Sequence, residues 1–333
     1  MNAFDEASEL APALRAELAA EIAAQGLPPD FIATIERWYL PLAALLARAH
    51  AGRCRPGSDS GNTGSGNTDA GKTLIVSING AQGSGKTTLT HFVRLLLARH
   101  FNLAAVEFSL DDFYLTQQQR QQLKADVHPL LATRGVPGTH DLTLASSVLE
   151  QLRSCSSTRP CFIPRFDKAQ DDRLPASAWT RIVSPVAVVL FEGWCNHAPV
   201  SSVADLVEPC NELERLEDAD GRWRRYVNQQ LQAYHTALFS QAHILVHLAV
   251  PGFEQVYQWR QLQEAKLASK AGAAAPGVMD SGQLQRFIQH YERLTRDCLA
   301  VLPTVADIVL QISRQHQIEA LQYHPQLLPD QAE

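Results

Sequence analysis

The sequence has no Cys-x-x-Cys pair, no block of basic residues and no uncharged apolar run of eighteen residues. Each absence excludes a class. Six cysteines without paired spacing (Cys54, Cys155, Cys161, Cys195, Cys210 and Cys298) read as free thiols, not as a disulfide framework or a zinc site. A net charge of −6 with no basic stripe argues against nucleic acid as a partner. Without a long apolar run no transmembrane helix is expected. The first ten residues, MNAFDEASEL, lack the basic and apolar regions of a secretory signal, so the expected location is cytoplasmic. No internal repeat is visible.

What is present is 333 residues with 45% apolar content. A chain of this length buries roughly 75% of its unfolded surface and needs no staple. Three regions are expected: an N-terminal helical extension (1–51), a flexible Gly/Ser/Asn-rich loop (52–72) and a main domain (73–333). In the extension, apolar residues recur at helical spacing up to Gly26. Asp30 stands where it can cap a second helix, and Pro41 should kink it. From Thr73 onward short Val/Ile/Leu runs alternate with helical stripes: TLIVSIN, LAAVEFSL, PVAVVLFEG, HILVHLAV and VADIVLQI. Strands apolar on both faces and separated by helices indicate a doubly wound, mostly parallel α/β sheet of about five strands. His243 and His247 fall in one of these runs. They read as packed histidines rather than a metal pair, since no third ligand is near.

The strongest signal is Gly80-Ala81-Gln82-Gly83-Ser84-Gly85-Lys86-Thr87, a full match to G-x-x-x-x-G-K-[ST], followed by Thr88. It sits between a strand and a helix that should start near Lys86. Backbone amides there can cradle phosphates at a helix N-terminus. Lys86 should reach the β- and γ-phosphates, and the Thr87 hydroxyl should hold Mg²⁺. ATP is the expected nucleotide. The guanine-reading N-K-x-D and a transporter-type LSGGQ are both missing, and Asp218-x-x-Gly221 lies in a charged stretch. A small-molecule kinase is the reading these absences favour.

The acceptor side is read from strand ends. In EFSLDDFYLT, Asp111 is the candidate base at the exit of a neighbouring strand, with Asp112 the alternative; the pair could equally cap a turn. Glu192 ends the apolar run of VVLFEGW and is the candidate magnesium carboxylate, acting on the ion through its ligands, or a water-positioning group; it could instead cap a loop. RGVPGTHDL offers Arg134, Thr139, His140 and Asp141, and PRFDKAQDDR offers Arg165, Asp167 and Lys168, for an anionic acceptor. Asp141 could instead cap a helix, and Arg165 could pair with Asp167.

Taken as a series, the phosphate loop, LDDFYLT, RGVPGTHD, PRFDK, VVLFEGW and VYQWRQLQE resemble the plant-type D-glycerate 3-kinases of the phosphoribulokinase/uridine kinase group. The resemblance runs from about Leu74 to Val309. It implies a P-loop kinase fold and transfer of the ATP γ-phosphoryl to D-glycerate, a small-molecule substrate, giving 3-phosphoglycerate. It implies that Asp111 is the base and that Arg260 is a lid arginine, although an exposed helical cation would look the same. The loop before the first strand and the short stretch after PRFDK depart from the pattern, which bears on the acceptor pocket. Nucleoside, sugar phosphate or pantothenate acceptors, and a non-kinase ATP-binding protein, stay open as alternatives.

Overall fold

The structure is a computed structural model that describes residues 9–54, 72–271, 279–324 and 327, with residues 263–271 described by backbone alone. Most of the expected Gly/Ser/Asn-rich loop, from 55 to 71, lies outside the described residues. Among the described residues the strands are β1 (Leu74–Gly80), β2 (Ala105–Ser109), β3 (Cys161–Ile163), β4 (Phe166–Asp167), β5 (Asp172–Arg173), β6 (Thr180–Ile182), β7 (Val188–Gly193), β8 (Ile244–Ala249), β9 (Ile308–Ile312) and β10 (Ile318–Tyr323). The α-helices among the same residues are α1 (Pro12–Ala24), α2 (Phe31–Thr34), α3 (Leu40–Arg53), α4 (Lys86–Arg99), α5 (Gln117–Asp126), α6 (Leu142–Leu152), α7 (Glu212–Glu217), α8 (Arg222–Ala237), α9 (Phe253–Ala271) and α10 (Ser281–Val305). None is long and apolar enough to cross a membrane.

The main sheet runs β10-β9-β8-β1-β7-β2. Five strands are parallel and β10 closes one edge antiparallel to β9. This is the doubly wound, mostly parallel sheet expected from the apolar runs. One expectation needs correcting: β2 does not neighbour β1, because β7 pairs with both.

Period-two alternation sends side chains into two cores. Leu74, Val76 and Ile78 of β1, with Val188, Leu190, Val246 and Leu248, join a core covered by α1, α3 and α4. Ile75, Val189, Phe191 and Leu245 face the other core, beneath α6, α8 and α10. The N-terminal helices belong to the first core. Leu18 and Leu46 are fully buried, so truncating either to Ala costs roughly 2–5 kcal/mol.

Local capping is partly as expected. Asp141 accepts from Leu144 N at 3.0 Å and starts α6. Asp30 occupies the N-cap position of α2 but makes no side-chain capping bond. Between α2 and α3 the chain stays helical through a π-helical turn, Ile35–Tyr39, and Pro41, which cannot donate the next helical bond, follows directly on that turn.

Candidate active site

The loop between β1 and α4 keeps the shape its glycines require. Gly85 has φ +90°, a left-handed conformation that side chains resist, and it hands the chain directly to Lys86 as the first residue of α4. A Cβ on Gly80 would meet Ser84 Oγ at 2.6 Å and Leu248 Cβ at 3.1 Å, so that position has no room for one. Gln82 Oε1 and Ser84 Oγ are buried without hydrogen-bond partners among the described residues. Of these the Ser84 hydroxyl can donate, and with the backbone N–H groups at the helix start it suits an anionic ligand.

Three strand ends converge here. β1 delivers the loop, β7 delivers Glu192 and β2 delivers the Asp pair. Glu192 is buried, and its Oε1 accepts from Thr87 Oγ1 at 3.0 Å. Its Oε2 is buried without a hydrogen-bond partner among the described residues, 4.0 Å from Lys86 Nζ. Burial raises the Glu192 pKa, with Asp111 adding to the rise and Lys86 opposing it. A hydroxyl beside a buried carboxylate with a spare oxygen is a hard-oxygen donor set, which fits Mg²⁺.

After β2 the chain makes a single 3₁₀ turn, Leu110–Phe113, capped by Ser109 and Asp112 in a reciprocal box. The two acids therefore differ. Asp112 Oδ2 accepts from Ser109 N at 3.1 Å and from Arg165 at 2.8 Å; it builds the turn. Asp111 accepts from the Tyr114 hydroxyl at 2.8 Å and from Lys168 Nζ at 2.6 Å. Burial pushes the Asp111 pKa up, but Lys168, Lys86 and Tyr114 together outweigh it and bring it down to about 2.

Two connected cavities meet at Asp111 and Lys86. The larger, about 480 Å³, runs along the loop past Thr87, Glu192, Asp112 and Arg165. The smaller, about 130 Å³, is a recess walled by Tyr114, Trp194, Phe287 and Tyr291, with Arg134, Lys168 and Arg260 at its sides. The short stretch after PRFDK makes the tight β4–β5 hairpin. Its Asp171 takes φ +55° and forms ion pairs with both Arg120 and Arg134, and the Arg134 guanidinium lies over the Phe166 ring at 5.6 Å.

Of the residues singled out in the sequence, Gln82, Gly83, Lys86, Thr87, Asp111, Arg165, Lys168, Glu192 and Arg260 line the larger cavity, and Arg134 lines the smaller. Ser84, Gly85 and Thr88 border a third cavity on the opposite flank of the loop. Gly80 and Ala81 are covered by neighbouring chain. His140 is misplaced by the sequence reading. It lies behind Tyr114, stacked on that ring at 4.5 Å, with Nδ1 2.7 Å from the Tyr234 hydroxyl. Burial lowers its pKa to about 3, so it is a neutral core residue and does not line either acceptor-side cavity. Asp141 caps its helix and pairs with Arg173 at 3.2 Å. Arg165 pairs with Asp112 rather than Asp167. His243 Nδ1 accepts from Ile75 N, and His247 Nδ1 meets Asn79 Oδ1, both at 2.9 Å, so they are packed histidines.

Sequence reasoning passes over Tyr114, Trp194, Phe287 and Tyr291. Phe287 and Tyr291 are four apart on α10, and on a helix that spacing reads as ordinary core. Trp194, two residues past Glu192 at a strand end, is the one detectable signal.

No family model matches the chain. Named relatives do. It is 32% identical over 229 residues to the uncharacterised kinase mug58 of Schizosaccharomyces pombe, a match spanning 66% of this chain and 79% of that one. It is 30% identical over 229 residues to the chloroplastic D-glycerate 3-kinase of Arabidopsis thaliana, spanning 66% of this chain and 46% of the plant protein. In fold it superposes on a D-glycerate 3-kinase from Cryptococcus neoformans with TM-score 0.67 at 24% identity, covering 86% of this chain and 99% of the other. With the loop, the strand-end carboxylates and these relatives together, the chain belongs to the plant-type D-glycerate 3-kinase family of P-loop kinases.

Proposed function

We propose that the protein transfers the γ-phosphoryl group of ATP to the 3-hydroxyl of D-glycerate, giving 3-phosphoglycerate and ADP. The observation that carries the acceptor half is the 130 Å³ recess. It opens onto Lys86 and Asp111 and is ringed by cations, with volume for about four waters. A short hydroxy acid suits it, while a nucleoside or a sugar phosphate is too large. The plant relative, named for D-glycerate, supports the same choice.

In this reading the loop amides and Lys86 hold the β- and γ-phosphates. Thr87 and Glu192 are the residues that would hold Mg²⁺, which when bound neutralises phosphate charge. Arg134, anchored by Asp171, and Lys168 grip the acceptor carboxylate, and Arg165 keeps Asp112 and the turn in place. Arg260 stands over the transferring group. The acceptor oxygen bonds to the γ-phosphorus as the bond to the β–γ bridging oxygen breaks, and the hydroxyl proton passes to Asp111. A carboxylate with a pKa near 2 is a weak base at rest. When Lys168 turns from Asp111 to the acceptor carboxylate, that restraint is lifted and the pKa of Asp111 rises. The Lys168 side chain is 61% exposed, so it can swing.

An acceptor panel tests the proposal. ADP release is followed with D-glycerate, L-glycerate, glycolate, uridine, ribulose 5-phosphate and pantothenate, and the product is identified by NMR. D-glycerate should stimulate release and carry phosphate on C3. Stimulation by uridine or a sugar phosphate instead would overturn it.

A further inference from the structure

The third cavity, on the flank of the phosphate loop away from Asp111, is not used by the reaction just described. It measures about 350 Å³. One wall is Ser84, Gly85 and Thr88, and the opposite wall is Phe31, Thr34 and Tyr39 of the N-terminal helices. His316, from the β9–β10 turn, closes the rim. A nucleoside triphosphate held on this loop has two ends. Its γ end must face Asp111 and Glu192, so the α-phosphate and the nucleoside attached to it leave the loop on another side. This cavity begins at the loop residues where that end emerges.

Three further observations point the same way. Ser84 lines the cavity, and its hydroxyl makes no hydrogen bond among the described residues. The wall from the N-terminal helices is aromatic and built on a π-helical turn, Ile35–Tyr39, a geometry that concentrates at functional sites. That turn leaves Ile35 fully buried in the core while Tyr39 reaches the cavity. The Phe31 ring meets Tyr39 at 5.9 Å and Phe92 of α4 at 5.8 Å, so the wall is braced on the helix that carries the loop. Across the rim His316 is held with φ +64° against Trp259 at 4.4 Å, next to Arg260 on α9. A flat heteroaromatic base with a ribose matches a cleft that is apolar on one side and polar at its rim.

We propose that the N-terminal helical layer forms the wall against the base and ribose of the bound ATP, and so sets nucleotide affinity. The inference rests on the kinase reading above but not on the identity of the acceptor. Two variants and two probes test it, with Mg²⁺ present throughout. Thr34→Trp fills the cavity and Phe31→Ala strips its wall; both are first compared with wild type by thermal melting. Calorimetry then measures ADP, which needs the cavity, and inorganic tripolyphosphate, which needs only the loop. Both variants should bind ADP about tenfold more weakly and tripolyphosphate within twofold of wild type. In turnover, KM for ATP should rise while KM for glycerate holds. Unchanged ADP affinity in the cavity-filling Thr34→Trp variant overturns the proposal. So does an equal loss of both probes in folded protein, which would place the effect in the loop. A wild type that binds ADP yet phosphorylates no glycerate sinks the acceptor reading and leaves this one standing.

Discussion

Replacing Asp111 with Asn changes one charge and almost no shape. The amide oxygen can still accept from the Tyr114 hydroxyl, and the Ser109–Asp112 box that builds the turn is untouched. What disappears is the proposed proton acceptor and the negative charge facing Lys168 at 2.6 Å. General-base catalysis contributes roughly two to four orders of magnitude, or about 3–5 kcal/mol of barrier. The effect on stability is much smaller. A pKa lowered from 3.8 to about 2 corresponds to roughly 2 kcal/mol at neutral pH. Its main partner is mostly solvated, so about 1 kcal/mol is a better figure. Asp111→Asn should therefore melt within a few degrees of wild type, bind ADP at least as tightly, and turn over 10²–10⁴-fold more slowly in an ADP-release assay at saturating substrates. A kcat within tenfold of wild type would refute the reasoning. Asp112→Asn is the control: it should lose stability through the turn and Arg165 while keeping most of its kcat.

Two more outcomes rest on the same charges. Lys168→Met removes the cation that most lowers the Asp111 pKa, so the acid limb of kcat/KM should move to higher pH and KM for glycerate should rise; an unmoved limb would mean that Asp111 does not need to be ionised. His140 has a folded pKa of about 3, below its ordinary 6.5, so its share of stability is complete above pH 6.5 and is lost as pH falls toward 3. By pH 4 the loss is about 3 kcal/mol. Chemical denaturation at pH 7 and pH 4 should show His140→Gln losing less stability than wild type by about that amount, and equal losses would remove His140 from the account.

How far these residues can be read in advance depends on the range of the interaction. The phosphate loop is local: eight consecutive residues carry its turns, its helix start and its lysine, and Gly85 and Lys86 sit as the motif requires. The strand ends are nearly as plain, because an apolar run that stops at an acid puts that acid at the sheet's edge, as with Glu192. His140 misleads because a polar residue in a polar segment looks exposed. Only the fold reveals that Tyr114 and Tyr234 enclose it. The recess walls are invisible for the same reason. Trp194 and Tyr291 lie 97 positions apart and meet at 4.9 Å only because the fold brings α10 to the residue that follows β7. Arg134 stands out by its charge, but the partner that aims it is Asp171, in a turn that reads in the sequence only as a shortened stretch.

Sheet order, which no local pattern encodes, decides how the chemistry is spaced. Had β2 paired with β1, the Asp pair would have stood one strand from the phosphate loop, about 5 Å away. With β7 between them, Asp111 lies two strands across, roughly 10 Å from the strand that carries the loop. In the proposed reaction that gap holds the terminal phosphate and an acceptor oxygen side by side. Glu192 occupies the strand between, where a carboxylate can reach Thr87 and Lys86 without touching Asp111. The three acidic or phosphate-binding groups are thus kept in separate lanes by backbone hydrogen bonds rather than by side-chain contacts. Substitutions in the lanes should consequently alter rates more than architecture. Changes that weaken β7 pairing, such as a proline at the buried Leu190, should disturb nucleotide, metal and acceptor binding together.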